Sequence, residues 1–126
     1  MNTFIKTVKA LSDPSRVKIV KLLQRRWMCA CEIQEALGLA QSTVSRHLKI
    51  LEDASLILSS RDGLWVNYRP SEGGENPYAA SLLGNLRHWL EDDEAVKELV
   101  RRLPGIRREK MSAACKPDFG YRHETK

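Results

Sequence analysis

The chain has 126 residues, of which 42% are hydrophobic and 29% charged, and its formal net charge is +5. This length predicts one domain with a small core, and no apolar run approaches the roughly 20 residues that a membrane span needs. The first residues lack the pattern of a secretory signal, so a cytoplasmic protein without a membrane partner is expected. The three cysteines are too few for a disulfide framework and are expected to be thiols, and the basic character makes nucleic acid a reasonable partner.

Two helices are predicted at the start of the chain. Apolar residues recur at helical spacing over 3–11, which predicts a short amphipathic helix. Ser12-Asp13-Pro14 then predicts a stop and a restart, because proline suits the first turn of a helix and Ser12 or Asp13 can cap it. The second helix is expected to run to about residue 25.

Two more helices are predicted on either side of a glycine. Residues 29–37 form the first, which Gly38 ends in the left-handed conformation of a helix C-cap. Residues 41 to about 54 form the second. Its core stripe consists of Val44, Leu48 and Leu51.

The hydrophobic period changes after residue 55. Residues 56–60 and 64–69 are typical of strands, and Arg61-Asp62-Gly63 between them predicts a hairpin. A loop over 70–77 and a helix over 78–91 are expected to follow.

The last helix is expected after an acidic run, which is well placed at a helix N-terminus, and Pro104-Gly105 ends it. Residues 1–104 are therefore predicted to form the folded domain, and 105–126 a basic, flexible tail. The order α-α-α-α-β-β-α-α, with a short helix, a turn, a longer helix and a hairpin, predicts a mainly α fold of the winged helix-turn-helix type.

The exposed side of the helix over 41–54 is predicted to read DNA. A reading helix buries one stripe and presents donors to bases and phosphates on the other. Glutamine can pair with adenine and arginine with guanine, and an arginine at the hairpin can reach the minor groove. For His47, packing or a phosphate contact is as good an interpretation as base readout. The candidate DNA-binding residues are Gln41, Ser42, Thr43, Ser45, Arg46, His47, Lys49 and Arg61.

Three segments resemble the ArsR/SmtB family of metal-sensing repressors. Residues 10–16 (ALSDPSR) are similar to the entry to its second helix, 41–51 (QSTVSRHLKIL) to its recognition helix, and 28–33 (MCACEI) to the Cys-x-Cys element of its arsenic and cadmium sensors. The resemblance implies a homodimer, built largely from the first and last helices, on a palindromic operator. The sequence departs from the arsenic sensors at Gln34, where they often have a third cysteine.

The cysteines are the candidate ligands of an inducer. Thiolates prefer soft ions, so Cys29 and Cys31 suit As(III) or Sb(III), and the resemblance implies three thiolates for arsenic. Cys115 is the remaining thiol and the candidate third ligand, from its own or the other subunit; the alternative is a surface cysteine that binds no ion. Side chains two apart on a helix point in different directions, so binding is expected to distort the helix over 29–37 and to weaken operator binding.

The function predicted from the sequence is that of a transcriptional repressor that leaves double-stranded operator DNA on binding a metalloid. It requires no cofactor. Two alternatives keep the fold: a Cd(II)- or Pb(II)-responsive repressor, and a redox-responsive one. A thiol enzyme is not expected, because no phosphate-binding loop surrounds Cys29.

Overall fold

The computed structural model describes residues 1–107, and the mainly α winged helix-turn-helix fold predicted from the sequence is confirmed. None of the helices in this range has the length and apolar character that crossing a membrane requires. The helices are α1 (Asn2–Ala10), α2 (Pro14–Arg25), α3 (Ala30–Leu37), α4 (Gln41–Asp53), α5 (Pro77–Leu86) and α6 (Glu94–Arg102), and the strands are β1 (Met28–Cys29), β2 (Ile57–Asp62) and β3 (Trp65–Pro70). A 3₁₀ turn at Leu103–Gly105 follows α6.

The starts of three helices follow from side-chain caps. The carboxylate of Asp13 accepts the backbone N–H of Arg16 at 3.2 Å, and Pro14 occupies the first turn of α2, as expected. Asn76 caps α5 and Asp93 caps α6 in the same way. Each cap satisfies a backbone donor that the helix itself leaves without a partner.

The hairpin contains a tighter turn than the sequence predicted. Asp62 pairs with Trp65, so the turn consists of residues 63 and 64. Strand β2 extends two residues closer to the turn than expected, whereas β3 begins at Trp65, one residue later than expected. The antiparallel sheet has the order β1-β3-β2 in the described chain. We call the hairpin β2–β3 the wing.

The helix expected over 29–37 begins one residue later, and the residues before it form the strand β1. Arg26 is extended, and Met28 and Cys29 pair with Tyr68 and Asn67 of β3. The prediction missed β1 because two residues are too short to show the alternation of a strand. Cys29 therefore precedes α3 as its N-cap residue and is not part of the helix.

The helix expected over 78–91 is also shorter, because α5 ends at Leu86. The ammonium of Lys21 is buried and donates to the carbonyl oxygens of Leu86 and Trp89 at 2.6 and 2.9 Å, and it also pairs with Glu91. A buried cation at the end of α5 satisfies carbonyl groups that a longer helix would have paired. Leu90 then takes a positive φ of 66°, which ends the helical path.

The core lies between α2, α3, α4 and the sheet. Val44, Leu48 and Leu51 are buried, as the stripe on α4 predicted. Ile106 is also buried in this core, two residues past the boundary predicted between domain and tail.

A buried asparagine joins α1, α4 and α5. The amide of Asn76 donates to Thr7 Oγ1 at 3.0 Å and to the carbonyl of Ala54 at 3.1 Å, and its backbone N–H donates to Gly73 O at 2.7 Å. Gly73 has a φ of +92°, and a Cβ there would lie 2.6 Å from the Cβ of Ala80. The tight turn before α5 therefore depends on the absence of a side chain at residue 73.

Gly73→Ala should lower the free energy of unfolding by at least about 2 kcal/mol more than Gly74→Ala, measured by urea denaturation. Gly74 is the matched control because it also has a positive φ, of +52°, but nothing lies within 4 Å of its Cβ position. Its substitution therefore adds backbone strain without a steric clash. Equal effects of the two substitutions would contradict the packing of this turn against α5.

Candidate nucleic-acid interface and cysteine pair

One face of α4 is exposed and carries polar and basic side chains. Val44, Leu48 and Leu51 anchor its other face, so the polar face points outward. Thr43 is half-buried at the edge of this face. Of the residues predicted to bind DNA, those that are exposed on α4 are Gln41, Ser42, Ser45, Arg46 and Lys49.

Arg61 is exposed on β2, one residue before the end of the strand, and donates to the carbonyl of Gly63 at 3.2 Å. It therefore lies near the tip of the wing, as expected. Lys49 forms an i,i+4 ion pair of 3.5 Å with Asp53 in the last turn of α4. The carboxylate offsets the charge of Lys49, so the N-terminal half of α4 is the better anion-binding surface.

His47 does not lie on the exposed face. It is buried, and its Nδ1 is 3.1 Å from Nη1 of Arg16, while Nε2 lies 4.0 Å from the carboxylate of Asp13. Burial lowers the pKa of His47 below its usual value; Asp13 opposes that shift, and the charges of Arg16 and Arg46 add to it. Of the three interpretations of His47, which are packing, a phosphate contact and base readout, the structure favours packing.

Cys29 is buried where β1 meets α3. Its backbone N–H donates to the Glu32 carboxylate at 2.9 Å, and its side chain faces the backbone N–H of Glu32, which is a capping box with a thiol in place of a hydroxyl. Burial raises the pKa of Cys29 to about 11, with a further increase from the Glu32 charge, although the backbone N–H groups of Glu32 and Cys31 oppose it. At neutral pH this thiol keeps its proton.

Glu32 and Arg26 connect this cap to the end of the described chain. Glu32 is buried and pairs with Arg26 at 3.3 Å, and the same guanidinium nitrogen donates to the carbonyl of Ile106 at 2.6 Å. The backbone at residue 106 is therefore fixed by contacts that lead back to Cys29.

The two described cysteines differ in environment. Cys31 lies in the first turn of α3 and is half-buried, whereas Cys29 is buried. Within residues 1–107 no three His, Cys, Asp or Glu side chains come together as a metal-binding group. The third predicted ligand, Cys115, lies outside the described residues.

Sequence reasoning missed Glu32, Arg26 and Arg16 as parts of these sites. The spacing of Cys29 and Glu32 matches the Ser/Thr-x-x-Glu signature of a capping box, and this signal was available. The contacts of Arg26 with residue 106 and of Arg16 with His47 join distant positions, so no local pattern indicates them.

Comparison with known proteins places this geometry in a family. The model of the family described as "Bacterial regulatory protein, arsR family" matches residues 13–59, which run from the α2 cap to β2. The arsenical resistance operon repressor of Escherichia coli is 35% identical over 100 residues, which cover 79% of this chain and 83% of that protein. The chain belongs to the ArsR family. The family predicted from the sequence is thereby confirmed.

A further relative and a solved structure are similar to this ArsR-family chain. The arsenic resistance transcriptional regulator ArsR1 of Pseudomonas putida is 40% identical over 89 residues, covering 68% of this chain and 70% of that protein. The solution structure of the homodimeric winged helix-turn-helix DNA-binding domain Mb0332 from Mycobacterium bovis is similar with a TM-score of 0.58. It is 24% identical and covers 77% of this chain and 84% of that one, which shows the fold. The chain is thus a DNA-binding transcriptional repressor of the ArsR family and not an enzyme.

Proposed function

We propose that this chain is a homodimeric, cytoplasmic repressor that binds a palindromic operator and leaves it when trivalent arsenic or antimony binds to Cys29 and Cys31. One observation carries the proposal: Cys29 belongs both to the strand that pairs with the wing and to the cap of the helix that packs against α4. A ligand of its sulfur therefore acts on both elements proposed to hold DNA.

The exposed face of α4 supports operator binding. We call α4 the reading helix. No side chain caps its N-terminus, so the first backbone N–H groups are available to a phosphate. The side chains proposed to contact DNA are Gln41, Ser42, Thr43, Ser45, Arg46 and Lys49, with Arg61 from the wing.

Exposed apolar side chains support a homodimer. Three lie on α1, and Phe4 among them packs edge-to-face on Tyr78 of α5 with ring centroids 5.2 Å apart, so the two helices share one apolar surface. Two more lie in the turn that Lys21 fixes after α5. Clustered exposed side chains of this size are typical of a subunit interface. The exposed residues that we propose for the interface are Phe4, Ile5, Val8, Tyr78, Trp89 and Leu90. The homodimeric M. bovis neighbour and the E. coli and P. putida relatives, named for arsenic resistance, agree with the proposal.

The donor set suits a soft, thiophilic ion. Cys29 and Cys31 are the two thiols in residues 1–107, and three thiolates complete the coordination of As(III). We propose Cys115 as the third. Eight residues lie between Ile106 and Cys115, and this length of chain can span up to about 30 Å. Ile106 is connected through Arg26 and Glu32 to the cap at Cys29. This anchoring favours a third thiol from the same subunit.

Coordination of the Cys29 sulfur would remove the capping interaction with the backbone N–H of Glu32. The sequence-based mechanism assumed that both cysteines lie inside a helix, and that premise is wrong for Cys29. The proposed mechanism is instead loss of the cap, which loosens the first turn of α3 and the pairing of β1 with β3. Because α3 packs on the reading helix, the binding of arsenic weakens the binding of the operator, and the operator weakens the binding of arsenic.

The protonated state of Cys29 favours arsenite over a divalent cation. Arsenous acid is uncharged at neutral pH; each As–S bond that forms replaces an As–O bond, and the hydroxide leaves as water with the thiol proton. When Cd(II) binds, the proton of Cys29 must instead be released to solvent, and the pKa of about 11 makes this release unfavourable at neutral pH. This balance is the reason to prefer a metalloid inducer to the cadmium or lead alternative.

The double variant Cys29→Ser/Cys31→Ser should bind operator DNA within about threefold of the wild type and should no longer be released by arsenite. Serine keeps the N-cap of α3, so the fold is retained. The measurement is fluorescence anisotropy of a labelled duplex from upstream of the chain's own coding sequence, titrated with arsenite. Cys115→Ser alone should raise the arsenite concentration needed for release by at least about tenfold. Release of the double variant at the wild-type concentration would exclude this site.

Arsenite affinity should change by less than about threefold between pH 6.5 and 8.0, because its binding releases no net proton. Cadmium affinity should increase by at least about tenfold per pH unit, since Cys29 alone must release one. Both can be followed by tryptophan fluorescence, to which Trp27, exposed and two residues from Cys29, contributes. Arsenite affinity that rises with pH as steeply as that of cadmium would contradict the proposed chemistry.

Ile5→Glu should convert the dimer to a monomer at micromolar concentration and weaken operator binding by at least about tenfold, as measured by analytical ultracentrifugation and anisotropy. Leu58→Glu is the matched control for the oligomeric state, because Leu58 and Ile5 are both 42% exposed and Leu58 lies on the wing, away from α1 in the chain. A dimer that survives Ile5→Glu, or dissociates equally with Leu58→Glu, would place the interface elsewhere.

A further inference from the structure

Arg16 connects the end of α1 to the reading helix. Its Nε donates to the carbonyl of Ala10 at 2.8 Å and one Nη to that of Lys9 at 3.4 Å. The other Nη lies 3.1 Å from Nδ1 of His47. One guanidinium therefore joins the C-terminus of a helix in the proposed subunit interface to the middle of α4.

The contact specifies the protonation state of His47. A guanidinium can only donate, so Nδ1 of His47 must accept, and the ring proton is on Nε2, towards the carboxylate of Asp13. A second ring proton would point at Arg16 and place two cations together inside the protein. The charged groups around the ring are Asp13 and Arg16 on the α2 side and Arg46 on α4; the two arginines and burial oppose protonation, and Asp13 alone favours it.

The other anchors of α4 lack this directionality. Val44, Leu48 and Leu51 hold the helix by apolar burial, which is non-directional and tolerates a small roll or slide of the helix. A charge-assisted hydrogen bond fixes distance and angle. In a dimer that reads two half-sites, the orientation of each reading helix relative to the interface determines whether both fit the operator.

We propose that Arg16 and His47 are positioning residues for operator binding: without touching DNA, their contact holds the reading helix in register with α1, and protonation of His47 releases it. The inference rests on the proposed reading of DNA by α4. The operator-bound protein keeps the hydrogen bond between Arg16 and His47, whereas the free protein loses it when His47 gains a proton. Protonation of His47 therefore weakens operator binding, and operator binding disfavours protonation.

The direction in which operator affinity changes with pH distinguishes a positioning role of His47 from a direct phosphate contact. A histidine facing phosphate gains charge on acidification and strengthens DNA binding. A histidine whose neutral form holds the reading helix has the opposite effect. Wild-type affinity for the promoter duplex should therefore fall by about fivefold or more between pH 7.5 and 5.0 at constant ionic strength.

Two substitutions at residue 47 test whether the hydrogen-bond acceptor at Nδ1, and not the ring as a whole, is what operator binding needs. In His47→Asn the side-chain oxygen takes the place of Nδ1 and can accept from Arg16 but cannot gain a proton. His47→Gln places its amide nearer the position of Nε2 and loses that acceptor. His47→Asn should bind within about twofold of the wild type at pH 7.5 and show no loss on acidification, whereas His47→Gln should bind about tenfold more weakly at pH 7.5. His88→Asn, at the exposed histidine after α5, is the matched control and should keep the wild-type profile.

Circular dichroism checks that each variant is folded at each pH, and the ring ¹⁵N shifts of free wild-type protein should show Nδ1 without a proton at pH 7.5. Equal binding by His47→Gln and the wild type, a proton on Nδ1, or wild-type affinity that is unchanged or stronger at pH 5.0 would each overturn the inference. If His47→Gln does not fold, the wild-type and His47→Asn profiles still decide. Wild-type protein that binds the duplex at no pH would overturn the proposed function together with this inference, whereas the other outcomes overturn the inference alone.

Discussion

The short segment around Cys29 depends on one capping box. The backbone N–H of Cys29 is satisfied by a buried carboxylate and its sulfur faces the backbone of Glu32, so α3 begins where strand β1 ends. A serine or threonine normally occupies this position of a capping box, because a hydroxyl is the better acceptor. A thiol makes a weaker cap and adds a nucleophilic, thiophilic atom. The position that starts the helix is therefore also the one that a soft ion can occupy, and the two roles compete for the same sulfur.

The reading helix is held from two sides that respond to different chemistry. On one side α3 packs against it, and the start of α3 depends on Cys29. On the other side Arg16 connects His47 to the end of α1. Neither connection uses the exposed face of α4, so a change at either one would alter the orientation of the helix while leaving intact the side chains proposed to contact DNA. A repressor of this design needs no direct contact between inducer and DNA, since differential affinity for the two orientations is sufficient.

Most of the helices and the wing follow from local patterns in the sequence, and the parts that do not are those that depend on distant contacts. Asp13-Pro14 and the α4 stripe predict their structures because caps and amphipathic faces are local properties. The strand β1 could not be predicted, since two residues carry no period and only pairing with Tyr68 and Asn67 makes them a strand. The end of α5 depends on Lys21, more than sixty residues earlier, whose ammonium takes the carbonyl groups there. His47 lies on the boundary between the buried and polar faces of α4, and only the position of Arg16 decides its environment.

The proton on Cys29 affects both the stability of the fold and the proposed preference for a metalloid over a metal cation. Because the folded state raises the pKa of this thiol to about 11, the contribution of its neutral form to stability is fully present below the pKa of an unfolded cysteine and is lost as the pH rises towards 11. At neutral pH the side chain of Cys29 is therefore a thiol and not a thiolate. A cation must overcome that preference, whereas an uncharged hydroxide of a metalloid accepts the proton as part of its own exchange. Glu32 contributes to this preference through its charge, and it is itself held by Arg26. In the proposed mechanism, selectivity between metalloid and metal would thus depend on Glu32 as well as on the cysteines that would bind the ion.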